Sequence, residues 1–174
     1  ASAIIHAGLC PVFVDVELGT MNMNVAHEDK ITRAIIPVHF AGHPCDMDSI
    51  MELAKKYKLL VVEDAAHALE TKYKKQKIGN LGNPTAFSFY ANKNITTGEG
   101  GMLTLNNESL AEKIRMLRLH GISRDAWKRF GKSGFAHWGF EMPGFKYNMT
   151  DINAALGIHQ LKKVDRFMEL RKKY

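Results

Sequence analysis

Residues 34 to 63 constrain the fold more tightly than any other stretch of this chain. Ala34 to Phe40, rich in branched residues, reads as a strand. Asp46 then caps a helix in which Met47, Ile50, Met51, Ala54 and Tyr57 recur at helical spacing. Lys55, Lys56 and Lys58 close that helix, where cations complement the helix dipole. Leu59 to Glu63 follows at once as a buried strand. Strand, helix and strand in this order predict a parallel pair joined by a right-handed crossover, and so an α/β protein.

The remaining elements are shorter. Pro11 to Val16 (Pro-Val-Phe-Val-Asp-Val) reads as a further strand. Pro84 to Tyr90 and Gly101 to Leu105 read as strands separated by the Gly98-Glu99-Gly100-Gly101 turn. A helix from about Glu108 to Leu119 presents Leu110, Ile114 and Leu117 on one side and closes at Gly121. Residues 121 to 149 have no clear period and carry Gly121, Gly131, Gly134, Gly139, Gly144 and two tryptophans. A long stretch of that kind inside a compact domain is usually functional. Thr150 caps a last helix through Asp151, Ile152, Ala155 and Leu156.

Bulk properties exclude some functions. The length of 174 residues suits one domain, with 45% apolar and 24% charged residues. No apolar run approaches the ~20 residues of a membrane span, and Ala1 to Leu9 lacks the pattern of a signal peptide. The net charge of +6 raises the question of nucleic acid. The lysines answer it: they lie scattered at helix ends and turns, not gathered with aromatics on one face, so no nucleic-acid partner is expected. Two cysteines, Cys10 and Cys45, cannot build a disulfide framework, and a reducing cytoplasm fits. His39 to Asp46 carries metal-ligand residue types, yet its Gly-x-Pro punctuation reads as a strand-to-helix loop, and no metal is expected. The chain starts without Met and ends inside a helical pattern, as a piece of something longer would.

Two segments could carry chemistry. In Val61-Val62-Glu63-Asp64-Ala65-Ala66-His67-Ala68, an acid directly after a buried strand sits where open α/β sheets bind ligands. Taken alone, a helix N-cap explains Asp64 equally well. In Ser88-Phe89-Tyr90-Ala91-Asn92-Lys93-Asn94, Lys93 leaves a strand end ahead of a glycine-rich turn. A lysine entering a pocket there can lose its proton and act as an amine nucleophile, although a lone lysine is more often a surface residue. Ser88 could bind phosphate or cap a turn.

Several of these motifs, taken in order, resemble one family. Val61 to Ala68, Phe87 to Gly101, His120-Gly121 and Pro143 to Ala155 look like the DegT/DnrJ/EryC1/StrS sugar aminotransferases. Ala34 to Gly42 and Asp125-Ala126-Trp127 belong to the same likeness, which is most detailed toward the UDP-4-amino-4-deoxy-L-arabinose aminotransferase branch. The resemblance implies fold type I of the pyridoxal 5'-phosphate (PLP) enzymes, a mostly parallel sheet between helices working as a homodimer. Residues 1–174 would then be the central part of the PLP-binding large domain, without an N-terminal segment and the smaller C-terminal domain.

Residue roles follow from the resemblance position by position. Lys93 matches the Schiff-base lysine, and Asp64 the acid that pairs with the pyridinium nitrogen. His67 stands where relatives carry Gln or His near the cofactor ring, and Ser88 matches a hydroxyl on the phosphate. Asn148 matches an asparagine reaching the phosphate of the neighbouring subunit. The implied reaction transfers an amino group from glutamate, leaving 2-oxoglutarate, to a keto nucleotide sugar, 4-keto before 3-keto, in cell-surface polysaccharide biosynthesis. Family dehydratases carry His in place of the lysine, so Lys93 argues against that activity. A non-catalytic binding or regulatory role is a further alternative, against which the set Asp64, Ser88 and Lys93 stands.

Overall fold

Burial alternates residue by residue through two stretches of the chain, the rhythm of strands whose successive side chains point to opposite faces. Ile35, Pro37 and His39 are buried, while Ile36, Val38 and Phe40 between them are exposed. Val61, Glu63 and Ala65 are buried in the same rhythm. The computed structural model describes residues 1–25, 31–122 and 139–174, in two compact units, Ala1–Phe87 and Ser88–Tyr174.

The first unit opens with α1 (Ser2–His6). The strand expected at Pro11 to Val16 does not form; Val16 alone makes an antiparallel bridge, to Met23, around a turn at residues 17–22. A strand needs a partner as well as a pattern, and Val12 and Phe13 stand exposed with no ladder among the described residues. The expected parallel pair is present: β1 (Ala34–Ile35) lies beside β2 (Leu60–Val61), Ile35 facing Val61. Pro37 lacks an N–H and interrupts the named strand, but its carbonyl accepts from Asp64 N at 2.9 Å and a Val38–Asp64 bridge continues the ladder. That ladder leads into β3 (Glu63–Asp64). A one-turn 3-10 helix at Phe40–Gly42 ends the first strand.

Between β1 and β2 runs α2 (Met47–Tyr57). Asp46 caps it, accepting from Ser49 N at 3.4 Å and Ser49 Oγ at 2.6 Å, and Lys58 closes it with φ 56°. Its inner face, Met47, Ile50 and Ala54, packs with Cys45 and Val61 as the core of the unit. A hairpin of β4 (Lys72–Tyr73) and β5 (Gln76–Lys77) follows. Two of its lysines are paired with acids: Lys74 contacts Asp48, and Lys77 lies 2.7 Å from Glu70. The strand β6 (Thr85–Ser88) runs parallel to β3, Glu63 opposite Thr85 and Asp64 opposite Ala86.

In the second unit, β7 (Gly101–Thr104) precedes α3 (Glu108–Leu117), capped by Asn107 accepting from Leu110 N at 2.9 Å. His120 and Gly121 both sit at positive φ beyond α3, and residues 140–147 run antiparallel to 117–122. The crossing is tight: a Cβ on Gly121 would lie 1.7 Å from the Met142 carbonyl oxygen. Thr150 caps α4 (Asp151–Leu161), as its sequence predicts, and α5 (Val164–Lys173) ends the chain. The expected loop over 121–149 lies mainly outside the described residues, as do Trp127, Arg129, Phe130 and Trp138.

Candidate active site

Asp64 ends the central one of three parallel strands in the first unit. Its backbone is held from both sides, its N–H donating to Pro37 O and its carbonyl accepting from His39 N at 3.0 Å, while Ala65 N donates to Ala86 O at 2.8 Å. The carboxylate is half-buried, and its flanking positions on neighbouring strands are Val38 and Ala86. Its Oδ1 accepts from Ala66 N at 3.0 Å, and among the described residues no group donates to Oδ2. The segment after it forms a turn, Ala68 N to Ala65 O, and no helix, so the N-cap alternative for Asp64 drops out. One carboxylate oxygen is thus free at the carboxyl end of a parallel sheet, where such sheets take ligands.

Two loops meet beside it. Thr71 Oγ1 donates to Gly42 O at 2.8 Å, and a Cβ on Gly42 would lie 3.1 Å from the His67 carbonyl oxygen. His67 is exposed and meets the Phe40 ring edge-on at 6.3 Å.

Ser88, Lys93 and Asn148 belong to the second unit. Ser88 ends β6, and its Oγ accepts from Tyr90 N at 3.3 Å. Lys93 sits on the turn that follows, its N–H bonded to Tyr90 O at 3.0 Å and its half-exposed amine without an acidic partner among the described residues. The turn is braced from inside by buried Ile95 and Thr97, with Thr97 N donating to Phe89 O at 2.9 Å. Helix α4 supports it: Gln160 Oε1 accepts from Thr96 N at 3.4 Å and Asn153 Nδ2 donates to Glu99 O at 3.0 Å. Gly157 belongs to this contact, because a Cβ there would lie 3.0 Å from Thr97 Cγ2. Asn148 follows the stacked rings of Phe145 and Tyr147, and its Oδ1 accepts from Lys146 Nζ at 2.6 Å.

Two of the metal-type residues of the 39–46 loop, His39 and Cys45, serve the protein interior. His39 Nε2 lies 3.0 Å from Glu63 Oε2, both side chains fully buried, and Cys45 Sγ donates to Val38 O at 3.2 Å. Burial pushes the Cys45 thiol up to about 11. Among the described residues no group of three or more His, Cys, Asp or Glu is placed to hold a metal ion. Sequence reasoning passed over Glu63, whose signal was its place beside Asp64: adjacent strand residues face opposite sides, so one of two neighbouring acids must point inward.

Residues 1–174 match the DegT/DnrJ/EryC1/StrS aminotransferase family. The chain is 58% identical over 168 residues to the uncharacterized protein MJ1066 of Methanocaldococcus jannaschii, covering 94% of this chain and 44% of that protein. It is 51% identical to the spore coat polysaccharide biosynthesis protein SpsC of Bacillus subtilis, covering 98% of this chain and 45% of SpsC. Identity to GDP-perosamine synthase of Caulobacter vibrioides is 43%, covering 99% of this chain and 45% of that enzyme. Among solved structures, the putative sugar aminotransferase Spr1654 of Streptococcus pneumoniae in its PMP-form superposes with a TM-score of 0.90 at 33% identity, over 99% of this chain and 49% of that one. The chain therefore spans about half the length of the relatives it matches.

Proposed function

The chain belongs to the DegT/DnrJ/EryC1/StrS aminotransferase family, and on that premise we propose that it forms the PLP-binding core of an enzyme that aminates a keto nucleotide sugar. Its fold is type I of the PLP enzymes. The acceptor is a 4-keto nucleotide sugar, the donor glutamate, and the working form a cytoplasmic homodimer. GDP-perosamine synthase carries a nucleotide sugar in its name, and SpsC is a polysaccharide biosynthesis protein, which supports the substrate class. The sequence likeness to the L-arabinose branch supports the 4-keto position.

The donor set fits the cofactor chemically. A half-buried carboxylate with a free oxygen, Asp64, suits a protonated ring nitrogen; an amine without an acidic partner, Lys93, suits an aldehyde; the Ser88 hydroxyl and the Asn148 amide suit a phosphate. Bound PLP supplies the electron sink and carries the amino group between donor and acceptor. Asp64 holds the proton on the ring nitrogen, since a neighbouring opposite charge favours the charged form. Lys93 would anchor the cofactor through its amine and, when that amine is free, would move a proton to and from the amino-bearing carbon. Ser88 and Asn148 would hold the phosphate, the latter across the interface of the proposed homodimer, and His67 would serve the ring. The strand-end carboxylate with one oxygen free is the observation that carries this reading.

Borohydride reduction of the complete natural protein loaded with PLP, followed by peptide mapping, tests it. The label is expected on Lys93, and Lys93→Ala is expected to abolish transamination while leaving the unfolding midpoint of the apoprotein unchanged. Label on another lysine, or a fully active Lys93→Ala, would overturn the assignment.

A further inference from the structure

The strand that carries Asp64 has a sequence that does not say which of its faces is inside. Val61-Val62-Glu63-Asp64-Ala65-Ala66 presents valine, acid, alanine on the odd positions and valine, acid, alanine on the even ones. Strand register and facing are ordinarily fixed by apolar alternation, and a strand with equivalent faces is weakly specified. Nevertheless the odd set is buried, with Glu63 fully enclosed, and the even set bears the half-buried Asp64. Something other than hydrophobic pattern makes that choice.

The buried side of the strand holds a chain of hydrogen bonds. Cys45 N donates to His39 Nδ1 at 3.1 Å, which leaves that nitrogen without a proton and puts the imidazole hydrogen on Nε2. Nε2 therefore donates to Glu63 Oε2 at 3.0 Å. Glu63 Oε1 accepts from Asn83 Nδ2 at 2.8 Å. Both oxygens of Glu63 thus face donors. His39 cannot escape by changing tautomer, because a proton on Nδ1 would confront the Cys45 N–H. His39 sits on the buried set of its own strand with Ile35 and Pro37, next to the bridge that binds Val38 to Asp64. Nothing in the proposed chemistry uses this network.

We infer that the His39–Glu63–Asn83 network is a positioning device that selects the face of the strand, drawing Glu63 inward so that Asp64 is the carboxylate presented to the cofactor. Its ligand side rests on the reading of Asp64 given above. The longer acid is the one that reaches His39 on the next strand, and the shorter one is left at the ligand end. Remove the histidine, and either acid would be buried at comparable cost, so the facing loses its determinant.

The test is a cycle in the complete natural protein, read as PLP affinity by absorption and fluorescence titration, with the unfolding midpoint of each apoprotein measured in parallel. Titrations are made well below each midpoint, so that loss of folded protein does not enter. His39→Leu is expected to weaken PLP affinity by about tenfold or more, as misplaced site groups do. His39→Leu combined with Glu63→Leu is expected to return affinity to within about threefold, because an apolar pair tolerates the interior and leucine at 63 faces the strand correctly by pattern alone. Glu63→Leu alone, which keeps the facing while stranding a donor, is expected to lose stability and keep PLP affinity. If the double variant or Glu63→Leu binds PLP as poorly as His39→Leu, or if His39→Leu folds and binds normally, the inference is overturned. Should His39→Leu fail to fold, the double variant and Glu63→Leu still decide. Asp64→Asn is the control: unchanged PLP affinity there would sink the reading of the site itself, whereas weakened affinity with no response at position 39 sinks only the face selection.

Discussion

The two cysteines show how placement separates residues of one type. Cys45 is enclosed between α2 and the sheet, and burial raises its thiol from an ordinary 9.0 to about 11, against a smaller lowering by the Met23 backbone. Cys10 is exposed. Thiolate is the reactive form, so at pH 8 Cys10 should react with a disulfide reagent within minutes while Cys45 stays unmodified until the chain is unfolded in denaturant. The sign for stability follows: the neutral Cys45 thiol contributes fully below pH 9.0, and the contribution is lost as pH rises toward about 11. Thiol counting with and without denaturant checks the first statement, and rapid labelling of Cys45 in the folded protein would contradict the enclosed position. Asp64 and Lys93 were noticeable in the sequence because each follows an apolar strand at a turn, although only the family resemblance gave them roles. Glu63 was not, since an acid in a strand reads as exposed until the partner that neutralises its burial, His39, is known to lie on the adjacent strand.

Elements were legible where their signals are local. The caps Asp46, Asn107 and Thr150 each accept from the backbone N–H three residues on, and helices α2, α3 and α4 begin where those residues stand. The start of α2 is further held by Tyr73 of the hairpin, which donates to Asp46 Oδ1 at 2.8 Å and accepts from Asp48 N at 3.2 Å. Hydrogen bonds from the Ser49 side chain first, then from Tyr73, hold the Asp46 carboxyl below its ordinary 3.8. Asp46→Ala should therefore cost about 1 kcal/mol in a urea titration at pH 7, the usual worth of such a cap. A depressed acid stabilises above its unfolded value, so the gap between wild type and variant should narrow as pH falls below 3.8 and through the lower folded value. A gap that stays constant through that window would show the carboxylate charge to be irrelevant to the cap. Strands were less legible because their determinants are distant. Pro11 to Val16 alternates correctly and yet has only the Val16–Met23 bridge, whereas Ala34 to Phe40 is kept extended across Pro37 by a ladder to residues 60–64.

At the scale of the whole molecule the decisive question is whether sites are shared between the subunits of the proposed homodimer. The proposed homodimer places Lys93 of one subunit and Asn148 of its neighbour at the same phosphate-bearing cofactor, and a two-fold axis makes the two sites of a dimer reciprocal. Lys93→Ala dimers should be inactive, and Asn148→Ala dimers should bind PLP weakly. Mixing the two variants after reversible dissociation gives hybrids in which one site takes both defects and the other takes neither. Random pairing puts half the subunits' dimers in the hybrid form with one intact site of two, so the mixture should regain about a quarter of wild-type activity. Recovery should track hybrid formation, followed by differently tagged subunits, and should be absent when two Lys93→Ala preparations are mixed. The complementation separates a shared site from a self-contained one: if Lys93 and Asn148 served the same subunit's cofactor, a hybrid would hold one site lacking the lysine and one lacking the asparagine. Its activity would then not exceed the mean of the two parents. That outcome would remove Asn148 from the neighbouring site while leaving the roles proposed for Lys93 and Asp64 untouched.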